Sequence, residues 1–545
     1  MLKYLRCPCL SLPKHVVILK NTSYLFLIVA LSLLTGFFWG SRWEEIGFLS
    51  PKDTNAQAKL SRLMRYVDQR YVDSLNIDSL STEVIQEIID RLDPHSVFIP
   101  KEEQQALSET MQGNFVGIGV SFYMIEDTVA IVRVLDGGPS KNSGILPGDR
   151  ILMADQDTLY LKGLESNEII NKLKGTPNTN VKVKFYRPQK DSLFSMTLTR
   201  GTVPLKSVEA HFLLDKKTAY IKINRFSQAT YPEFLEALES FDLNTLAHLV
   251  LDLRDNPGGY MFPAQQIADE FLKDGKPIVI TQSNNGIRKQ TLATERGNFE
   301  KGDIYILINE QSASAAEVLA GALQDNDRAW IVGRRSFGKG LVQQQLPLGD
   351  GDAIRLTTAR YYTPTGRSIQ RPYGGQDRDT YYNEFNRRYD SGEMASVDNI
   401  PVNDSLAYKT PQGRIVYGGG GITPDIYVPN TNTRSEEFDF FLLRSNLMNH
   451  FVFTYLDKNR SAYPFESESE FSSQPLKNAQ DWIAAFVEYC EVNSLPFEIK
   501  DKLVVTNAIK AYLGLQLYGE NCYSKILTQI DPFVQRTLDE QRLKE

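Results

Sequence analysis

Cysteine is scarce in this chain: four in 545 residues, with no Cys-x-x-Cys pair. That excludes a disulfide-dense scaffold and the common zinc-ribbon patterns. Histidine is limited to His15, His95, His211, His248 and His450, none in a recognisable triad context. Basic charge is not in excess: 60 Lys+Arg against 67 Asp+Glu leave a net charge of −7, with no dense basic run. Nucleic acid is therefore a poor partner. Internal repeats are missing. Hydrophobic residues are 42% and charged residues 23%, which excludes a fibrous, mainly disordered or polytopic membrane protein. At roughly 150 residues per domain, the length suits about three to four domains.

One uncharged apolar run is present, Tyr24 to Trp39, preceded by Lys3, Arg6, Lys14 and Lys20. It lies near the short end of what spans a bilayer. The basic residues ahead of it keep the N-terminus cytoplasmic and send the remainder across. No A-x-A cleavage site follows, so an uncleaved anchor is expected over a removed signal peptide. The expected place is the inner membrane, through residues 24–39, with the body in the periplasm. Cys7 and Cys9 precede the anchor. Cys490 and Cys522 fall on the oxidising side, where a bridge or two buried thiols would both fit.

Residues 1–45 are thus tail and anchor, and 46–112 read as polar helices ending in the loop Leu92–Ser96. From 113 to 201 short strands and Gly-rich turns take over, with one helix in LESNEIINKL. From 202 to 434 strands and helices alternate, which argues for an α/β layer around a largely parallel sheet. Residues 370–415 read as an irregular insertion within it, and 435–545 as a separate helical segment.

The segment Asn309–Asp325 runs from a buried strand through tiny residues into a helix beginning near Ser314. A serine there stands clear of the sheet. The unpaired N–H of Ala315 points where a tetrahedral oxyanion would form, at the positive end of the helix dipole. Ser312 or Ser314 as a mere N-cap is the plainer reading. With no suited histidine, the candidate base is Lys339 in Ser336-Phe337-Gly338-Lys339-Gly340. Burial disfavours the charged form of a lysine and lets it accept a proton near neutral pH. Ser–Lys pairs are a known variant of triad logic.

Taken together, LDPHS (92–96), FVGIGV (115–120), GILPGDRIL (144–152), LDLRDNPGG (251–259), SASAAE (312–317), ALQD (322–325) and FGKGLVQ (337–343) resemble the C-terminal processing peptidases, or tail-specific proteases. The resemblance covers roughly residues 55–430. It implies a crotonase/ClpP-like α/β peptidase core with an inserted PDZ domain, flanked by helical segments. It implies Ser314 as nucleophile, Lys339 as general base, and Gln343, one helical turn on, as the residue that orients the lysine. Ala315 and either Gly258 or Gly259 would supply the oxyanion donors. Ala316 departs from the family's second serine. Asp325 reads as structural, and no metal or cofactor is implied.

Residues from about 113 to 200 resemble a bacterial PDZ domain. In that likeness Gly117, Ile118, Gly119 and Val120 hold a terminal carboxylate. The next strand accepts the substrate tail by strand addition. Ile118, Val120, Ile170 and Leu173 would line the side-chain pocket. Arg150 matches a basic position linked to switching between resting and active states; an exposed charge on a turn is the plainer reading. The implied partners are proteins or peptides with free C-termini, with self-association left open. A catalytically inactive PDZ scaffold or chaperone is the rival reading, and a crotonase-like acyl-CoA enzyme a second.

Overall fold

A computed structural model describes residues 55–374, 378–430, 445–463, 467–495, 499 and 501–544. The apolar run Tyr24–Trp39, Cys7 and Cys9 lie outside the described residues. Among those that are described, no helix is long and apolar enough to cross a membrane. The chain divides into two compact units, 1–85 and 86–545. In the first lies the helix Asn55–Arg70, and the division falls within the helix Ile77–Asp90. Everything below belongs to the second unit.

An antiparallel sheet runs in the order Val120–Ile125, Thr128–Val134, Arg150–Ala154, Asn180–Arg187, Ser192–Thr199. In Asn180–Arg187 the side chains of Val181, Val183 and Phe185 are buried and the lysines between them exposed, the period-two pattern of a half-buried strand. Helix Ser166–Leu173 closes this core with Ile169 and Leu173. The strands Asn114–Gly117 and Gly201–Pro204 pair antiparallel at the module's base.

A six-stranded sheet carries the second core, in the order Val208–Leu213, Thr218–Ile223, His248–Asp252, Asp303–Ile308, Ala329–Gly333, Ile426–Tyr427. The first pair is antiparallel and the remainder parallel. Its central strands are buried on both faces, which is why HLVLD and DIYILI read as near-continuous apolar runs. Helices Thr230–Glu239, Met261–Asp269 and Ala315–Asp325 cover one face. A second, antiparallel sheet holds Val97–Ile99, Pro277–Ser283, Arg288–Leu292 and the hairpin Leu341–Gly349/Asp352–Tyr362.

Two segments depart from their sequence reading. The stretch 370–415 holds helices Arg378–Tyr382 and Glu384–Asp390 and a hairpin Ala407–Lys409/Ile415–Tyr417. It buries Arg388 and Glu393 against Arg335. The C-terminal helices have their own core around Phe451, Trp482 and Phe486, yet the last one, Pro532–Lys544, seats Phe533 and Val534 on the other face of the six-stranded sheet. Cys490 and Cys522 are free buried thiols in different apolar clusters, so the bridge is not formed. Burial raises their pKa values, to about 11 and about 12.

Candidate active site

Strand Asp303–Ile308 delivers the chain to the loop that ends in Ser314. Ser312 is fully buried; its Oγ donates to Leu253 O (2.8 Å) and accepts from Asn309 N (3.0 Å). That is a structural role. Ser314 stands at the N-terminus of helix Ala315–Asp325 with φ 55° and ψ −114°. A non-glycine residue there is strained, and strain of this kind persists only where the surroundings impose it. Its own N–H donates to Glu317 Oε2 at 2.8 Å.

Lys339 arrives through the glycine-flanked turn before the strand Leu341–Gly349. Gln343 therefore lies on a strand, not one turn along a helix. Lys339 Nζ donates to Gln343 Oε1 at 2.7 Å, and Gln343 Nε2 donates to His95 O at 2.6 Å. No hydrogen bond joins Ser314 Oγ to Lys339 Nζ among the described residues. Burial lowers the Lys339 pKa to about 8, helped by the positive charge of Arg355 and opposed by Glu317 and Asp93.

Two side chains fix the serine and the lysine to each other. Buried Glu317 accepts from Ser314 N (2.8 Å) and Lys339 N (2.9 Å) on one oxygen, and from Ser336 Oγ (2.5 Å) and Gly338 N (2.6 Å) on the other. Burial raises its pKa, against the pull of those four donors. Buried Tyr361 donates its hydroxyl toward Ser314 O (3.1 Å) and Lys339 O (2.8 Å).

The loop after strand His248–Asp252 packs directly on this pair. A Cβ on Gly258 would lie 2.7 Å from Ser314 Cβ and 2.9 Å from Ala315 N, so only glycine fits. Gly258 N–H is taken by Asn256 Oδ1 at 2.8 Å. The N–H groups of Gly259 and Ala315 meet no acceptor among the described residues. The same loop is anchored from below: Arg254 pairs with Asp252 (2.5 Å) and with Asp531 (2.9 Å).

Of the described histidines only His95 comes near. Its Nε2 bonds Tyr381 OH (2.9 Å), and burial, with Lys339, depresses its pKa to about 3. Asp325 forms a fully buried ion pair with Arg367 (2.7 Å), in keeping with a structural reading.

In the smaller module, the N–H groups of Ile118 and Gly119 meet no acceptor among the described residues, and Gly119 has φ +80°. Gly117 sits in the base strand opposite Gly201. Val120 and Ile170 are half-buried, whereas Ile118 and Leu173 are 2% and 5% exposed and fill the module's core. Arg150 is neither exposed nor at that loop. It pairs with Asp457 of helix Asn446–Asn459 at 2.5 Å and donates to Gly148 O at 2.7 Å.

Sequence reasoning missed the roles of Glu317, Tyr361 and the His95 carbonyl. For Glu317 a signal existed: Ser314 and Glu317 have the spacing of a capping box. Tyr361 carried none, since its partners lie on other elements.

Residues 217–380 match Peptidase family S41, residues 116–198 a PDZ domain, and residues 440–519 a family of unknown function, DUF8443. The carboxy-terminal-processing protease of Bartonella bacilliformis is 34% identical over 284 residues, 51% of this chain and 64% of that protein. The carboxy-terminal processing protease CtpB of Bacillus subtilis is 32% identical over 284 residues, 51% of this chain and 58% of that protein. The matched stretch thus spans about three fifths of these relatives. A solved photosystem II D1 C-terminal processing protease aligns at 23% identity, over 69% of this chain and 94% of that one, with a TM-score of 0.36.

Proposed function

We propose, from the premise that this chain belongs to the C-terminal processing proteases of peptidase family S41 and carries a PDZ domain, that it is a serine endopeptidase with a Ser314–Lys339 dyad. Its core is read as crotonase/ClpP-like. The observation that carries the dyad is the shared Glu317 oxygen, which brings the Ser314 and Lys339 backbones together beside a lysine of lowered pKa.

Ser314 Oγ attacks the scissile carbonyl carbon. Neutral Lys339 leaves Gln343 Oε1, takes the hydroxyl proton and passes it to the leaving amine. The oxyanion is met by the N–H groups of Ala315 and Gly259, the donors that no acceptor among the described residues occupies. Water, deprotonated by Lys339, then hydrolyses the acyl-enzyme. Gly258 supplies the close approach, not the donor.

Substrates dock by a free C-terminus on the Ile118–Gly119 N–H groups, with the tail added beside strand Val120–Ile125. The chain acts in the periplasm, held to the inner membrane by residues 24–39. The testing experiment is digestion of an unstructured protein such as casein, alongside a serine-directed acylating probe. Turnover and a probe adduct on Ser314, both absent in Ser314→Ala, support the reading. Turnover that survives Ser314→Ala overturns it.

A further inference from the structure

The hairpin Leu341–Gly349/Asp352–Tyr362 pairs Gln343 with Thr357, Gln345 with Arg355, and Pro347 with Ala353. Alternation puts all three pairs on one face. The first pair holds Lys339 through Gln343. The third lines a cleft of about 300 Å³ with Leu107 and Met111 of helix Lys101–Gln112 and with Tyr260. Tyr260 directly follows the oxyanion-side glycines. Arg355, in the middle pair, stands between the lysine and the cleft.

The Arg355 side chain is half-buried, yet its guanidinium makes no hydrogen bond and no ion pair among the described residues. The groups that face it electrostatically are Lys339 and Tyr260. Nearby carboxylates are engaged elsewhere: Asp352 accepts from Lys101 N (2.9 Å), and Asp93 from Ser96 Oγ (2.7 Å). A desolvated guanidinium beside a second cation, with no counterion, is costly unless an anion completes it. Guanidinium is also the side chain best shaped to receive a carboxylate.

We propose that Arg355 is a specificity residue that binds a substrate carboxylate between the scissile bond and the Leu107–Met111–Tyr260 cleft, while the cleft takes a neighbouring apolar side chain. This rests on the peptidase reading above. One step of the hairpin is about 7 Å along the strand, so the carboxylate belongs within about two residues of the cleaved bond. It is either an acidic side chain or the free end of the chain, and both present the same two oxygens.

The test uses the full chain and matched peptides that differ only by Glu or Gln at one position, scanned across the cleavage site, each with a free or amidated end. The wild type should cleave one Glu peptide, or the free-ended form, about tenfold or more faster in kcat/KM than its neutral twin, the usual scale of a charge-assisted hydrogen bond. In Arg355→Gln that ratio should fall towards one, and Arg355→Lys should keep part of it. A free-end preference that persists in Arg355→Gln belongs to the PDZ domain and overturns the chain-end source. No carboxylate preference at any position overturns the proposal. So does an equal loss on every peptide with a shifted pH profile, which would make Arg355 only a neighbour of Lys339. If the wild type cleaves no peptide and Ser314 takes no acylating probe, the peptidase reading itself fails.

Discussion

The backbone nitrogens of Ser314 and Lys339 donate to the same oxygen of Glu317, at 2.8 and 2.9 Å. Residues from a helix N-terminus and a distant turn are thereby held to one point. Glu317→Gln keeps the size but offers one acceptor oxygen to four donors. Each buried donor left unpaired costs about 1–3 kcal/mol. Thermal unfolding should show the loss of stability, and labelling of Ser314 by an acylating probe should slow by about tenfold or more.

If Lys339 is the base, it should set the pH profile. With its pKa lowered to about 8 by burial, the neutral fraction falls about tenfold for each pH unit below that value. Activity should rise with pH along one ionisation near 8 and level off above it. Lys339→Ala and Lys339→Arg should both lose nearly all turnover, since guanidinium stays protonated. The stability sign is fixed too. The folded pKa lies below the unfolded one, so the unfolded chain binds the proton more readily between about 8 and the ordinary lysine value. Stability from this group should rise with pH across that window. Calorimetry of the wild type and Lys339→Met checks it.

Gly258→Ala tests the close approach. Its φ is +95°, and the new Cβ would press on Ser314 Cβ and Ala315 N. A displaced oxyanion donor costs about 10²–10³-fold in kcat. Loss of turnover with peptide affinity for the PDZ domain intact is the expected result, read from steady-state kinetics and peptide titration.

Arg150 and Asp457 tie the PDZ domain to the helical region matched by the family of unknown function. Their side chains are 15% and 16% exposed, so the pair is only partly screened by solvent. A double-mutant cycle with Arg150→Ala and Asp457→Ala should give a coupling of about 1 kcal/mol in unfolding free energy.

Cys490 and Cys522 should each count as a free thiol after denaturation and resist alkylation before it. Burial keeps both protonated and inaccessible. Adding reductant should leave the unfolding temperature of the chain unchanged.

Much of the candidate site was legible because it is local. The buried strand, the tiny residues and the helix start around Ser314 are contiguous, and so is the glycine-flanked Lys339. The fate of Arg150 was not legible, because its partner Asp457 lies 307 residues away. Nor was Tyr361, which reads as a strand tyrosine until the Ser314 and Lys339 carbonyls are seen above it. Which of Gly258 and Gly259 has its N–H occupied needed the Asn256 side chain, which accepts from Gly258 and not from Gly259. Leu173 looked like a pocket residue, but the short helix turns Ile169 and Leu173 inward together and leaves Ile170 at the side.

The helix Pro532–Lys544 has a consequence for timing. A growing chain possesses Ser314 and Lys339 long before it possesses Asp531 or Phe533. Until then Arg254, under the Gly258–Gly259 loop, lacks its second carboxylate, and the far face of the six-stranded sheet lies open. Asp531 and Phe533 follow Ser314 by more than two hundred residues, so during synthesis the support beneath the candidate site arrives well after its serine and lysine.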